Sequence, residues 1–151
     1  MSAPAESTDG PQRTRAVTFE LQGEHYCVDS SRITSVLSIG DCTAVLEAPD
    51  PWYAGEISTD DGNIRVLDLS RVFESATRTL DRPEVPKLIV FDVTDDDGAH
   101  YGWLVDDVGV SRQIDRQRLE RTAGGMSFIS GTVTLDGHEH LWLDEASIHE
   151  S

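Results

Sequence analysis

Lysine is almost absent from this chain: Lys87 is the single lysine, and the other eleven of the twelve basic residues are arginines. Set against 28 acidic residues, they leave a formal net charge of −16 at pH 7. A surface this negative repels nucleic acid and anionic membranes, so we expect neither as a partner. Because the acidic residues are spread from end to end, we infer a surface suited to concentrated salt and a halophilic source. An ordinary acidic composition is the alternative.

This charge leads to a prediction about salt. Below roughly 0.5 M salt the repulsion between surface carboxylates is poorly screened, and we expect cooperative unfolding or loosening there. The melting temperature, followed by circular dichroism, should therefore rise between dilute buffer and molar potassium chloride. A melting temperature that does not change with salt would contradict the halophilic inference.

Cysteine and long apolar runs are also scarce. The two cysteines, Cys27 and Cys42, form no C-x-x-C pair, and two buried thiols are favoured over a disulfide. No segment approaches the ~20 apolar residues of a membrane-spanning helix. Residues 1–14 lack the basic start and apolar core of a secretory leader. We expect a cytoplasmic protein without direct membrane insertion, and a flexible tail over residues 1–14.

Catalytic motifs are missing as well. There is no G-x-S-x-G elbow and no glycine-rich phosphate loop before a helix. His138 and His140 beside Asp136 could ligate a metal, although an exposed hairpin tip is the favoured interpretation. His25 and His100, each followed by a tyrosine, are interpreted as half-buried strand histidines. We therefore expect a binding protein with no catalytic residue, metal or cofactor. The alternative is a metal-dependent β-barrel enzyme.

What the chain does contain is a series of short strand patterns. Val17, Phe19 and Leu21 alternate with polar residues, which is typical of a half-buried strand. The stretch Gly55–Phe73 predicts a strand, a tight Asp61-Gly62 turn and a second strand over residues 64–67. Asp68 then predicts the N-terminus of a short helix. Short strands with frequent turns and little helix favour an all-β barrel or sandwich.

The same plan returns near the end of the chain. Gly131, the Asp136-Gly137 turn, Leu143 and Asp144 follow Gly55, the first turn, Leu67 and Asp68 at an offset of about 76 residues. Upstream, G-E-H-Y at residues 23–26 is echoed by G-A-H-Y at residues 98–101. We interpret this as two copies of one β-rich unit, approximately 17–73 and 88–149, within a domain over residues 15–149.

Two of these stretches carry a family resemblance. Residues 55–69, read as G-E-I-S-T-D-D-G-N-I-R-V-L-D-L, and residues 101–108, read as Y-G-W-L-V-D-D-V, resemble the CheW family of chemotaxis coupling proteins. The resemblance implies an all-β fold of two intertwined, five-stranded SH3-like barrels with short helical turns. It also implies a non-catalytic adaptor in the cytoplasm. Its partners would be the cytoplasmic tip of a chemoreceptor and the regulatory domain of a CheA-type histidine kinase.

The resemblance further implies a partner-binding groove. Its apolar centre would draw on Ile33, Val36, Val105 and Val108, and its rim would be formed by Thr59, Asp60, Asp61 and Arg65. The chain departs from the family pattern in this region, since the typical Asn, Arg, Gly and Pro are Ser58, Asp60, Asp61 and Arg65 here. An acidic residue in place of the arginine inverts a charge at the expected receptor contact. A CheW-like module that serves another signalling complex therefore remains an alternative.

Overall fold

A computed structural model describes residues 13–39, 47, 49–59, 62–73, 85–115, 119–120 and 128–149 of the protein. Within these ranges there are ten strands and two short α-helices. The helices are α1 (Leu69–Phe73) and α2 (Glu145–His149). The strands are β1 (Arg13–Leu21), β2 (Glu24–Asp29), β3 (Ile33–Ser38), β4 (Gly55–Thr59), β5 (Gly62–Asp68), β6 (Lys87–Thr94), β7 (His100–Val105), β8 (Asp107–Asp115), β9 (Ile129–Leu135) and β10 (His138–Leu143).

The strands form two five-stranded sheets, ordered β8-β1-β2-β10-β9 and β3-β6-β7-β5-β4. The first sheet joins strands from the two ends of the chain, and the second is built from its middle. The all-β fold of two intertwined, SH3-like five-stranded barrels is therefore confirmed. No helix in the described ranges combines the length and the apolar character needed to cross a membrane.

The chain divides into two compact units, whose limits fall within β1, β2 and β8 and between Ser31 and Arg32. The first unit takes its described residues from Met1–Thr18, His25–Ser31 and Gly109–Ser151, and the second from Phe19–Glu24 and Arg32–Val108. The core of the first unit packs Ala16, Cys27, Ile114, Val133, Leu135 and Trp142. The core of the second packs Ala54, Ile64, Val66, Leu88, Val90 and Leu104.

The alternation in the first strand has the predicted result, because Val17, Phe19 and Leu21 are all buried. Strand β1 begins at Arg13, so the predicted end of the tail at residue 14 is two residues too late. Residues 1–12 lie outside the described part of the chain. The Asp136-Gly137 turn joins β9 to β10, with φ of 53° and 83° at its two residues. Positive φ at both central residues is what a two-residue hairpin turn of this kind requires.

The other predicted turn differs in detail. Gly62 already belongs to β5, where it pairs with Thr59 of β4. The connection is therefore residues 60–61, which lie outside the described ranges. Asp68 ends β5 and α1 begins directly after it, while Asp144 stands directly before α2. Each aspartate thus precedes a five-residue helix, as the sequence echo predicts.

The two sheets also share a pairing register. In the first, β2 and β10 run parallel with Tyr26 beside Leu141 and Val28 beside Leu143. In the second, β7 and β5 run parallel with Tyr101 beside Arg65 and Trp103 beside Leu67. These pairs correspond to one another at the sequence offsets of 75 and 76. In each sheet, the strand that carries the G-x-H-Y pattern therefore pairs in parallel with the strand that precedes a short helix, and the register of the two pairings is the same.

Two residues of the Y-G-W-L-V-D-D-V stretch have clear structural roles. A Cβ atom on Gly102 would come within 2.7 Å of Ile64 Cγ2 and 3.1 Å of Leu88 Cδ1, so this position has no room for a side chain. The carboxylate of Asp106 accepts a hydrogen bond of 2.8 Å from the backbone N–H of Gln22. Gln22 has a φ of 51°, and the bond helps to hold this left-handed turn residue in place.

Candidate partner-binding surface

The second unit contains a cavity of about 250 Å³. Its lining comes from all five strands of the β3-β6-β7-β5-β4 sheet, including the two outer strands β3 and β4. A register shift between Ile33 and Ser35 of β3 lies beside it, where β3 pairs with β6. The lining residues are Thr34, Ser35, Leu37, Thr59, Ile64, Val90 and His100.

The chemistry of this cavity is mixed. Ile64 and Val90 are buried and belong to the core of the unit, so they form an apolar wall. The hydroxyls of Thr34 and Thr59 donate to the backbone oxygens of Val90 and Gly62, at 3.3 Å and 2.8 Å. Both hydroxyls are thus used within the chain, which leaves mostly methyl groups for an occupant.

His100 contributes a group of a different kind. Its Nδ1 atom is buried and has no hydrogen-bond partner among the described residues. Leaving a buried polar atom unpaired costs about 1–3 kcal/mol. Because this atom is out of reach of solvent, the cavity offers an occupant mainly its apolar wall.

The outer strand β3 carries the most exposed predicted contact. Val36 is 42% exposed, the largest exposed fraction among the predicted site residues that the structure describes. Ile33 at the start of β3 is half-buried, as is Val108 in β8. Thr59, predicted on the rim, lines the cavity. The structure thus brings Thr59 together with β3 around one cavity, and it leaves Val36 open to a partner.

Two of the predicted site residues, Val105 and Arg65, take other roles. Val105 is 1% exposed and lies in the core, so the prediction that it forms part of the binding centre is wrong. It is the last residue of β7, and its burial removes its apolar surface from water. Asp60 and Asp61 lie outside the described residues, and their place in the site stays a prediction.

Arg65 is the clearest departure from the expected rim. Its guanidinium lies over the rings of Tyr53 and Tyr101, 4.7 Å and 5.4 Å from their centroids. Its Nε donates to the backbone oxygen of Trp52 at 3.2 Å, and its Nη1 lies 3.7 Å from a carboxylate oxygen of Asp95. Arg65 is therefore held by its own chain and cannot serve as a free cation on the rim.

A short turn places the tyrosine over this arginine. Pro51–Tyr53 form a single 3-10 turn that Asp50 caps by accepting the N–H of Trp52 at 2.9 Å. Tyr53 also donates its hydroxyl to Glu56 and remains 37% exposed. A positively charged group under an exposed ring gives a rigid aromatic platform, a kind of side chain that is frequent in protein interfaces.

The residues weighed as an alternative metal site come close to one another without forming one. His138 and His140 share one face because β10 begins at His138, directly after the turn. Asp136 is occupied by an ion pair with Arg112. In the part of the chain that the structure describes, no three His, Cys, Asp or Glu side chains are arranged to hold a metal ion. The metal-enzyme alternative therefore gains no support from this geometry.

Cys27 is a free, buried thiol, as predicted. Burial raises the pKa of the Cys27 thiol to about 12, so it stays protonated and unreactive at neutral pH. Cys42 lies outside the described ranges. The residues that sequence reasoning missed are those inside the cavity, mainly Ser35, Leu37 and His100. Of these three residues, only His100 had a signal in the sequence, namely its place in the repeated G-x-H-Y pattern.

Together, these features define a two-barrel β protein with a partly apolar cavity in its second unit. The family can be stated directly, because the model of the CheW-like domain family matches residues 15–151. The chain therefore belongs to the CheW-like domain family. Among solved structures it is similar to the scaffolding protein TtCheW from Thermoanaerobacter tengcongensis, with a TM-score of 0.73 and 21% sequence identity. That match covers 91% of this chain and 93% of the other. Among curated proteins, no sequence matched.

Proposed function

We propose that this protein is a non-catalytic adaptor of a chemotaxis signalling complex, located in the cytoplasm. In this role it couples the cytoplasmic tips of chemoreceptors to a CheA-type histidine kinase. The observation that carries the proposal is the CheW-like domain, which spans nearly the whole chain. The family is one of scaffolding proteins, and a scaffold acts by holding partners rather than by chemistry.

The surface of the second unit supports this role. An adaptor needs apolar side chains that its own core does not use, since a desolvated centre supplies affinity while a charged rim supplies selectivity. Val36 on β3 is such a side chain, and the cavity with His100 lies in the same sheet. We infer that a partner covers β3 and inserts a side chain into the cavity.

The contacts of Arg65 bear on the expected receptor contact. The typical family arginine is Asp60 here, and Arg65, which stands at the family's proline, is engaged by Tyr53, Tyr101, Trp52 and Asp95 and does not supply a free cation in its place. A receptor contact of the usual family kind would therefore be altered here. We infer either that the receptor has changed to match, or that this module serves a different signalling complex. The abundance of acidic residues is consistent with a halophilic cell in which that complex assembles in concentrated salt.

The test is a charge placed on β3. Val36→Asp should weaken binding to the partner at least tenfold, because a carboxylate would be desolvated at the centre of the interface. Folding should change little, since Val36 is exposed. The measurement is titration calorimetry in molar potassium chloride with purified chemoreceptor signalling fragment and CheA-type kinase from the same source.

Val110→Asp is the matched control. Val110 is 71% exposed on β8 and lies outside the proposed surface, so this variant should bind within about twofold of the original protein. Equal affinities for the Val36→Asp variant and the unchanged protein would remove β3 from the interface. Binding to neither purified partner by the unchanged protein would contradict the coupling function itself.

A further inference from the structure

Three histidines of the first unit lie ring against ring, and we call them the histidine cluster: His25 of β2, and His138 and His140 of β10. The ring centroid of His25 is 4.7 Å from that of His138 and 5.1 Å from that of His140. The rings are tilted by 34° and 38° to one another. All three imidazoles are therefore close enough for a charge on one to affect the others.

The cluster follows from strand register. Alternate residues of a strand point to the same face, which places His138 and His140 together on β10. Strand β10 runs parallel to β2 with Leu141 beside Tyr26, so the preceding residues, His140 and His25, are neighbours. In the second unit the same register sets His100 beside Ile64. The second copy of the pattern thus has one histidine where the first has three.

The surroundings of His140 disfavour positive charge on its ring. His140 is 7% exposed, and burial is the main cause that lowers its pKa from the ordinary histidine value. The groups that act on it with positive charge are His25, His138 and Arg112, and each lowers the pKa further. On the neighbouring strand β9, Leu135 faces His138 and Val133 faces His140, and neither carries charge.

Two contacts partly oppose this effect. The Nδ1 of His140 lies 3.0 Å from the backbone oxygen of His138, a hydrogen bond that favours the protonated ring. Arg112 is paired with Asp136, which reduces its influence on the cluster. The net direction for His140 is nevertheless downward. The neutral ring is the form that the folded unit prefers.

We propose that the histidine cluster makes the junction of β2 and β10 an acid-sensitive element, which loosens the first unit as the pH falls through the histidine range. This junction consists of three parallel residue pairs, so it is short. Protonation of two stacked rings would place like charges within about 5 Å in a partly buried site, where repulsion is only partly screened. The strain would fall on the strand pair that carries the rings.

The direction with pH follows from linkage. A histidine whose pKa is lower in the folded state contributes its full stability above the unfolded value, ~6.5, and loses it as the pH falls below that value. The overall charge of −16 acts in the opposite direction, since added protons relieve repulsion between the carboxylates. A loss of stability on acidification would therefore run against the general electrostatics of this chain and would point to the cluster.

The experiment is urea unfolding of the full chain in molar potassium chloride at pH 7.5, 6.5 and 5.5, above the range in which most carboxylates titrate. We expect the unfolding equilibrium constant of the unchanged protein to rise between about twofold and tenfold from pH 7.5 to 5.5. His25→Gln removes the ring that touches both of the others, and it should abolish at least half of that rise.

His100→Gln is the matched control, because His100 occupies the equivalent position of the second unit. This variant should keep the whole pH response, whatever its effect on stability at pH 7.5. The proposal is overturned if the unchanged protein shows no loss of stability on acidification, or if His25→Gln keeps the full response. Should His25→Gln fail to fold, imidazole titration of the unchanged protein by NMR decides. An ordinary histidine pKa for His140 would then overturn the proposal.

Discussion

Replacing Trp103 with alanine is expected to lower the free energy of unfolding by about 3–5 kcal/mol, the range found for deleting a large buried aromatic side chain. Trp103 is fully buried and lies in β7, between β6 and β5 of the second sheet. Its ring centroid is 4.5 Å from that of Phe91 and 6.2 Å from that of Phe19, the latter edge to face. Removing the indole would leave a cavity between two rings that cannot move together without shifting their strands.

Denaturant unfolding in molar potassium chloride is the measurement for this prediction. Trp52→Ala serves as the control, since Trp52 is only half-buried and belongs to the short turn before β4. The loss of stability should scale with the apolar surface that each tryptophan buries, so the control should cost well under half as much. Similar losses for Trp52→Ala and Trp103→Ala would mean that the aromatic group around Trp103 is not a centre of stability.

Arg71→Ala is expected to lower the free energy of unfolding by up to about 3–5 kcal/mol, because it removes the cation beside a buried carboxylate. Asp68 is fully buried at the end of β5, and Nε of Arg71 donates to its carboxylate at 2.7 Å. The arginine side chain is partly exposed, so water can enter the gap and reduce the loss. Unfolding in urea at neutral pH measures the difference.

The repeat supplies the control for this prediction. At the offset of 76 residues, Asp144 and Ser147 stand where Asp68 and Arg71 stand in the first copy, and Ser147 donates its hydroxyl to Asp144 at 2.8 Å. This contact is a single hydrogen bond to a half-buried carboxylate at a helix start and involves no cation, so Ser147→Ala should cost only about 1–2 kcal/mol. A double variant, Asp68→Leu with Arg71→Met, should be more stable than Arg71→Ala alone, since no buried charge remains. A double variant as unstable as Arg71→Ala would refute the role given to the buried carboxylate.

The sequence alone was sufficient for features that depend on neighbouring residues. The alternation of Val17, Phe19 and Leu21 predicted which side of β1 is buried, because successive side chains of a strand point to opposite faces. Asp136-Gly137 predicted its hairpin turn, since few other residue pairs accept positive φ at both positions. Asp68 and Asp144 marked the starts of α1 and α2 for a similarly local reason. The family motifs then led to the correct two-barrel fold.

Other features depended on partners that are distant in the sequence, and only the tertiary structure decided them. Val105 was expected at the binding centre together with Val36 and Val108, yet it lies in the core, because successive residues of the central strand β7 are buried on both of its faces. Arg65 is a charged residue of the kind expected on the rim of an interface. In the structure, Tyr53, Tyr101 and Asp95 approach it from three other segments and hold it. Neither outcome can be derived from local propensity, since burial and pairing are set by strand register.

The histidines show the same division most directly. The sequence determined that His138 and His140 alternate after a turn and that His25 and His100 hold matching places in a repeat. It could not determine that β2 and β10 would lie side by side and bring His25 against the other two rings. Parallel pairing between the beginning and the end of a chain leaves no local pattern, because its energy comes from closing the sheet and burying both faces of the core.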